Sequence, residues 1–289
     1  MCGLNSCLVT VVILTYNEEV HIQRALDNVK GWATDVFVLD SFSTDRTGIL
    51  AEASGAHVFL HPFENYAAQR EWALRELPYQ TDWVLFLDAD ELLSESLKRE
   101  IFEILPASER IAGFYIKRQF WWMGRWIRYG GIYPTWILRL VRHRRAHCNA
   151  RIVNEHLAVD GPTKKLACDL IHNDLNMVSA WIAKHNRYAD LEAFELLRAQ
   201  QQPGSDSMAR LWGTQAERKR WIRQHIWNSL LPPLLRPLLL FLYRYLLRLG
   251  FLDGREGLIY HVLQGLWFPF LIDVKFLEKK RQIRPDTYV

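Results

Sequence analysis

Short apolar runs alternate with amphipathic stretches from residue 8 to residue 87, and the rhythm is regular. Leu8–Leu14 is a β-branched run that reads as a strand, and Ile22, Ala25, Leu26 and Val29 follow at helical spacing. Asp35–Leu39 repeats the pattern, with Ile49, Leu50 and Ala53 on a helix that ends at Gly55. His57–Leu60 is a short third strand, Ala67–Leu77 a helix stopped by Pro78, and Trp83–Leu87 a fourth strand. Such alternation predicts an α/β fold: a mostly parallel central sheet, right-handed crossovers and helices on its faces. Further strands are expected at Ile111–Ile116 and Trp136–Val141. A long helix over residues 179–202 has Trp181, Ile182, Tyr188, Leu191, Phe194 and Leu197 near one face, Ser179 as N-cap and Pro203-Gly204 as its stop. The loop around residue 204 divides a domain of residues 1–204 from a tail of residues 205–289.

The strands end on polar residues, and the fourth does so most sharply, at Asp88-Ala89-Asp90-Glu91. Open α/β sheets bind ligands beyond the carboxyl ends of their strands, so Asn17-Glu18, Asp40, Asp45 and Asp88–Asp90 are expected to face one crevice. Two carboxylates two residues apart reach one hard divalent cation, and Mg²⁺ is typically held by one or two carboxylates plus substrate phosphates. A plainer reading makes this stretch a solvated, acidic helix start, which suits Glu91 and Glu95. The first strand lacks the Gly-x-Gly-x-x-Gly turn of a dinucleotide-binding dehydrogenase. The chain also lacks the Gly-x-x-x-x-Gly-Lys-Ser/Thr loop of a nucleoside triphosphatase. What remains is a crevice that holds phosphates through a metal.

Val12-Ile13-Leu14-Thr15-Tyr16-Asn17-Glu18-Glu19, Val38-Leu39-Asp40-Ser41-Phe42-Ser43-Thr44-Asp45-Arg46-Thr47 and Leu87-Asp88-Ala89-Asp90-Glu91 resemble, in order and spacing, three motifs of family 2 glycosyltransferases. The resemblance runs over residues 8–160 and more loosely to 200. It is closest to the WaaE-like, lipopolysaccharide-core glucosyltransferase group. It implies the GT-A (Rossmann-like) fold, with Thr15, Glu18 and Asp40 on the uridine of a nucleotide-sugar. Asp88 and Asp90 become the DXD pair that holds Mg²⁺ or Mn²⁺ on the diphosphate, with Asp88 also touching the donor. Gln69 and Arg70 fall where similar proteins face the donor, and the planar fork of Arg suits a diphosphate. Relatives carry a His-Glu pair where this chain has Asn154-Glu155-His156, which makes Glu155 the candidate general base. Its plainer reading is a surface ion pair. An inverting transfer needs one carboxylate to take the acceptor's proton and a metal at the departing diphosphate, whereas a retaining hydrolase needs paired carboxylates flanking the bond. His172, beside Asp174, is a secondary candidate. Phe42 departs from the pattern, because the family usually has a small residue there, often glycine.

Charge sharpens the division of the chain. The net +4 resolves into +7 for residues 205–289 and −3 for residues 1–204. The tail holds a leucine-rich stretch, 230–252, interrupted by Pro232, Pro233, Pro237, Arg236, Arg244 and Arg248. Three prolines and three arginines argue against a membrane span there, and an amphipathic, membrane-associating helical element with apolar and cationic faces fits better. A helical hairpin packed on the catalytic domain is the plainer alternative. Trp267, Phe268 and Phe270 extend the apolar pattern, and Lys279-Lys280-Arg281 suits an anionic leaflet. The aromatic run Phe120–Trp126, interleaved with Arg and Gly, favours acceptor or membrane contact over core. Arg142–Arg145 suits a phosphorylated acceptor or anionic lipid. No nucleic-acid fold accompanies it, so no nucleic-acid partner is expected. Four cysteines without metal or disulfide spacing, and no leader pattern, point to the cytoplasmic face of the plasma membrane.

The expected protein is therefore a peripheral, metal-dependent hexosyltransferase. Its expected donor is a UDP-sugar, with glucose the first candidate, and its acceptor is lipid-linked or a lipopolysaccharide inner core. The rival readings are an inactive sugar-binding scaffold and a polysaccharide synthase. The synthase should carry Gln-x-x-Arg-Trp, which Arg125-Trp126 and Arg220-Trp221 do not complete.

Overall fold

A computed structural model describes residues 7–149, 156–201 and 231–283. The chain forms two compact units, residues 1–126 with 133–175, and residues 127–132 with 176–289. The division expected at 204 falls outside the described residues, and the helix before it belongs to the second unit.

The first unit contains β1 (Cys7–Thr15), α1 (Ile22–Val29), β2 (Ala33–Asp40), α2 (Thr47–Ala53), β3 (His57–Leu60), α3 (Tyr66–Glu76) and β4 (Trp83–Asp88). It continues with β5 (Glu91–Leu93), α4 (Glu95–Ile104), β6 (Gly113–Trp122), β7 (Arg125–Ile127), β8 (Thr135–Arg142), β9 (Ala146–Asn149), β10 (His156–Val159) and β11 (Thr163–Asn173). The main sheet runs β3-β2-β1-β4-β8-β6-β11-β5, with β7 on β6. Its first four strands are parallel, as the βα rhythm dictates. Beyond β4 the sheet is mixed: β8 is antiparallel to both neighbours, β11 is parallel to β6, and β5 is antiparallel to β11.

Apolar side chains on both faces hold the sheet. Val9, Val11 and Ile13 of β1 pack with Ile22, Leu26 and Val29 of α1 and Leu97 and Ile101 of α4, while Val12, Val84 and Phe86 pack with Ala73 on α3. Trp83 to Leu87 are all buried, so β4 is central and covered on both sides. The strand ends lie in register, Thr15 opposite Asp40 and Leu14 opposite Asp88. Alignment of the carboxyl ends is what brings the polar residues of three loops together.

Two local expectations are corrected. Glu91 does not open a solvated helix: it sits in β5 at 0% exposure, and α4 starts after Ser94, whose hydroxyl accepts from Leu97 N–H. Ser179 lies inside the helix Val178–Gln201 (α5) and does not cap it.

The second unit contains α5, the helix Leu235–Leu242 with a π-helical continuation to Leu247, and a helical run from Gly250 to Ile283. Within it, residues 250–282 are long and apolar enough to cross a membrane, with a mean hydropathy of 1.3 over the most apolar window. Lys275 ties this run to α5 through Asp190 at 2.7 Å.

Candidate active site

The loop after β2 is a network of short polar side chains built around Asp40, which is 2% exposed. Thr15 donates its hydroxyl to Asp40 Oδ1 at 2.8 Å, and Ser43 N–H donates to Oδ2 at 2.7 Å. Asn17 takes φ +54° and links the first two loops: its backbone N–H donates to Ser43 Oγ and its side-chain Oδ1 accepts Thr44 N–H, both at 2.8 Å. Asp45 accepts from Thr47 and from Glu19 N–H, and these bonds hold its carboxyl below the ordinary range against the opposing effect of its partial burial. The loop is prepaid in hydrogen bonds and therefore preorganised. Phe42 occupies φ +59° with its ring 52% exposed, which accounts for the small residue usual at this point of the pattern.

Glu18 and His21 form the next group. Glu18 N–H donates to Thr47 Oγ1, and the Glu18 carboxylate lies 2.6 Å from His21 Nδ1. Asp174 approaches the other ring nitrogen at 3.3 Å. Burial alone would lower His21, but hydrogen bonds and charge from Asp174 and Glu18 raise it to about 9. Leu175 N–H also lies 2.9 Å from Nε2, a contact that fits only the neutral ring.

Gln69 is buried, and its amide is occupied. Nε2 donates to Ser41 Oγ at 2.9 Å and to the carbonyl of His61 at 3.0 Å, while Oε1 pairs with His61 Nδ1. Its observed role is to fix the loop that starts α3 against the loop after β2. Arg70, next to it, points its guanidinium at Asp88, 3.7 Å away.

Beyond β4 the carboxylates are handled differently from one another. Arg139 of β8 grips Asp88 with both terminal nitrogens and also donates to Glu91 at 2.8 Å. Glu91 in turn accepts Asp88 N–H at 3.1 Å, which ties the Asp88–Glu91 turn to itself. Burial opposes ionisation of Asp88, but the charges of Arg139 and Arg70 hold it well below the carboxylate range. Burial, aided by the charge of Asp88, pushes Glu91 up. Asp90 faces elsewhere. Asn173 N–H donates to the Asp90 carbonyl, which clamps the end of β11 against the turn and brings His172 Nδ1 to 3.2 Å from Asp90 Oδ1. The two atoms are within ion-pair distance, yet both are buried without a hydrogen bond of sound geometry.

Thr15 and Asp40 thus share one network that Gln69 buttresses, Glu18 joins Thr47 and His21, Arg70 approaches Asp88, and Asp90 pairs with His172. Glu155 lies outside the described residues. Residues 10–148 match the model for glycosyl transferase family 2. The match takes in Thr15, Asp40 and the Asp88–Asp90 turn. An uncharacterized glycosyltransferase of Rickettsia bellii (strain RML369-C) is 40% identical over 111 residues, 38% of this chain and 37% of the relative. The chain thus spans little more than a third of that relative's length. The lipopolysaccharide core biosynthesis glycosyltransferase LpsC of Rhizobium meliloti (strain 1021) is 26% identical across 66% of this chain and 72% of its own. Among solved structures, glucosyl-3-phosphoglycerate synthase from Mycobacterium tuberculosis, in complex with Mn²⁺, UDP and glucosyl-3-phosphoglycerate, has 27% identity. It covers 40% of this chain and 45% of that one, with a TM-score of 0.33.

Whether the first unit suits a divalent cation is decided by its donor atoms. Among the described residues no three His, Cys, Asp or Glu side chains form a closed metal cage. A cation shared with substrate phosphates needs only one or two protein ligands. Asp90 Oδ1 and His172 Nδ1 are adjacent, buried and unsatisfied, a carboxylate and an imidazole of the sort Mn²⁺ accepts, so the residues fit. Asp88 is already neutralised by Arg139, and a cation there competes with a guanidinium.

Sequence reasoning missed Arg139 and the structural part of Glu91. The signal for Arg139 was present: one cation inside the apolar strand Trp136–Val141 needs a buried anion. Lys117, Tyr133, Gln119 and Asp169 form a further polar cluster on β6, β11 and the loop before β8. Trp122 is 7% exposed and so belongs to the interior, against the contact role expected of its aromatic run. Arg142 stacks over Trp83 at 4.6 Å and pairs with Asp82, so this member of the basic run is structural.

Proposed function

We propose that the chain is an inverting glycosyltransferase that moves a sugar, glucose first among candidates, from a UDP-sugar to a lipid-linked or lipopolysaccharide inner-core acceptor at the cytoplasmic face of the plasma membrane. The observation that carries the reading is the in-register convergence of Thr15, Asp40 and the Asp88–Asp90 turn at three adjacent strand ends, within a segment that matches the family model. The acceptor class draws its support from the likeness to LpsC, a lipopolysaccharide core glycosyltransferase, and from the apolar tail.

In this mechanism the loop around Asp40 receives the uridine, with no reorganisation because its hydrogen bonds are already made. Arg70 supplies positive charge to the donor diphosphate, and its present partner Asp88 turns to the donor ribose or sugar. Asp90 and His172 would hold Mg²⁺ or Mn²⁺ together with the donor's phosphates, and the cation would stabilise the leaving diphosphate. Glu155 takes the proton of the acceptor hydroxyl as its oxygen bonds to the anomeric carbon from the face opposite the diphosphate. The bond between that carbon and the diphosphate oxygen breaks, UDP departs, and the configuration inverts.

Donor binding tests this. A ligand that binds only the folded state raises its apparent stability. One UDP-sugar should raise the melting temperature in the presence of Mn²⁺, and Asp90→Ala should abolish the rise. A panel of nucleotide-sugars that shifts nothing would overturn the reading.

A further inference from the structure

The second unit is arranged with its charges inside and its leucines outside. Arg236 is 6% exposed and its Nε donates to Asp273, 1% exposed, at 2.8 and 2.9 Å. The same carboxylate accepts Leu234 N–H at 2.9 Å. Asp253, also buried, accepts the N–H groups of Arg128 and Tyr129. His261 is fully buried against Gly130 and Gly250, where an added Cβ would lie under 3 Å from its ring. On the outside, Leu235, Leu238, Leu239, Leu242 and Leu246 fall at helical spacing along one face, with Leu247, Leu249, Phe251 and Leu252 exposed at the turn. Leu258, Val262, Phe270 and Val274 are exposed on the returning arm. Arg248 and Arg255 are the exposed charged residues between 231 and 274.

Among the described residues 231–274 the cationic face expected of an amphipathic tail is reduced to Arg248 and Arg255, because Arg236 is turned inward by Asp273. In water such a distribution is costly twice. The buried pair gives up its hydration, and a continuous apolar stripe stays wet. Against hydrocarbon the second cost disappears and the first becomes unavoidable, since there every charge must face protein and every leucine can face lipid.

We propose that residues 234–274 form a hairpin that lies in the plane of one membrane leaflet with its leucine face in the hydrocarbon, held by apolar burial and not by lipid charge. The proposal rests on the membrane placement of the enzyme and specifies how it is achieved. The arm from Leu235 to Leu247 is about 20 Å long at 1.5 Å per residue, short of a hydrocarbon core of roughly 30 Å, so this arm does not cross. Cations flank the apolar belt, Arg248 and Arg255 at the turn and Lys280 and Arg281 at the far end, all exposed. Long basic side chains at both ends of a leucine surface reach headgroups while the middle sinks, which is the profile of an in-plane element. That distribution chooses lipid over a second protein as the occupant.

The test is flotation of the full-length protein with uncharged phosphatidylcholine vesicles, and in parallel with vesicles that also hold anionic phosphatidylserine, at about 0.1 and about 0.5 M salt, conditions that differ strongly in screening. The bound fraction should agree within about twofold between the two salts. Leu242→Arg combined with Leu246→Arg should weaken partition at least about tenfold, with far-ultraviolet circular dichroism unchanged. Leu246→Ser and Leu247→Ser, milder and separate, should each weaken it less. Binding that requires anionic lipid and vanishes at high salt overturns the insertion but leaves the membrane placement intact. Absence of binding to both vesicle types overturns both. Self-association in solution that the same substitutions abolish assigns the face to a second copy of the chain and overturns the proposal.

Discussion

The two units use buried charge in opposite ways. In the first unit the interior is apolar, and charged or polar side chains enter it mainly where strands end, around Asp40, Asp88, Asp90 and Glu91. In the second unit the buried charges Arg236, Asp253 and Asp273 stand beside an apolar cluster of Ala193, Leu197 and Phe276, while leucines between 235 and 252 are exposed. In the first unit a buried charge such as Glu91 or Arg139 ties a strand end. In the second, on the membrane placement proposed above, it follows from the medium the surface faces.

The largest expected effect breaks the first half of this comparison. Asp90 has an unsatisfied carboxylate oxygen, so its loss should cost activity and little else. Asp90→Ala should lower sugar transfer by about 10³-fold, as expected for loss of a metal-binding carboxylate, while the melting temperature stays within about 2 °C. A large fall in stability with transfer retained would make Asp90 structural.

Next come the two buried guanidinium groups. Arg139→Met leaves Glu91 and Asp88 without their cation, and Arg236→Met leaves Asp273 alone. Removing one partner of a buried pair costs about 3–5 kcal/mol, and urea denaturation should read that loss in both variants. The second substitution separates the units. Asp273→Leu added to Arg236→Met should restore most of the stability, because an apolar pair can replace a buried ion pair. Glu91→Leu added to Arg139→Met should restore stability in part and leave transfer impaired, since the Asp88–Glu91 turn loses its tie. Equal recovery of transfer and stability in the first unit would erase the contrast.

The same contrast explains what was legible in the chain. Strands β1 to β4 and their polar ends could be read because period, strand end and loop chemistry are local properties. Thr15, Asp40 and Asp88 came together as expected because parallel strands share a carboxyl edge. Glu91 was misread because its burial depends on β5 pairing with β11, about eighty residues further on. His172 was ranked behind other candidates for the same reason, since that pairing carries it to Asp90. In the tail, the leucine-rich stretch 230–252 with its three arginines reads as a helical element with apolar and cationic faces. Which side faces inward was decided by Asp273, a single acid 37 residues from Arg236, and no local pattern contains that information.

A smaller effect concerns His21, whose charge joins the first loop to the end of β11. Its folded pKa, raised to about 9, lies above the unfolded value near 6.5, so its contribution is complete below about pH 6.5 and is lost as pH rises through 9. The loss should be about 2 kcal/mol, reduced by partial solvation and by the contact that Leu175 N–H offers the neutral ring. Urea denaturation of wild type and His21→Gln between pH 6 and 10 checks it. The variant should show a flatter profile, and identical slopes would place the proton on another group.

The smallest effect tests whether preorganisation of the first unit carries strain. Phe42 holds φ +59° one residue before Ser43, whose N–H and hydroxyl both bind Asp40. A non-glycine residue in this region costs about 1 kcal/mol or more, and half of the Phe42 ring gains nothing from burial. Glycine relieves that cost but adds roughly 0.5–1 kcal/mol of unfolded-chain entropy, so Phe42→Gly should stabilise by only about 0.5 kcal/mol. A rise in the urea midpoint with donor affinity unchanged would mean that the strain is incidental to the loop. A rise accompanied by weaker donor binding would mean that the exposed ring covers the donor and that the strain is kept for that contact. A fall in the midpoint would show that the ring packs more tightly than its exposure implies, and the loop would then be held by Phe42 as well as by Asp40.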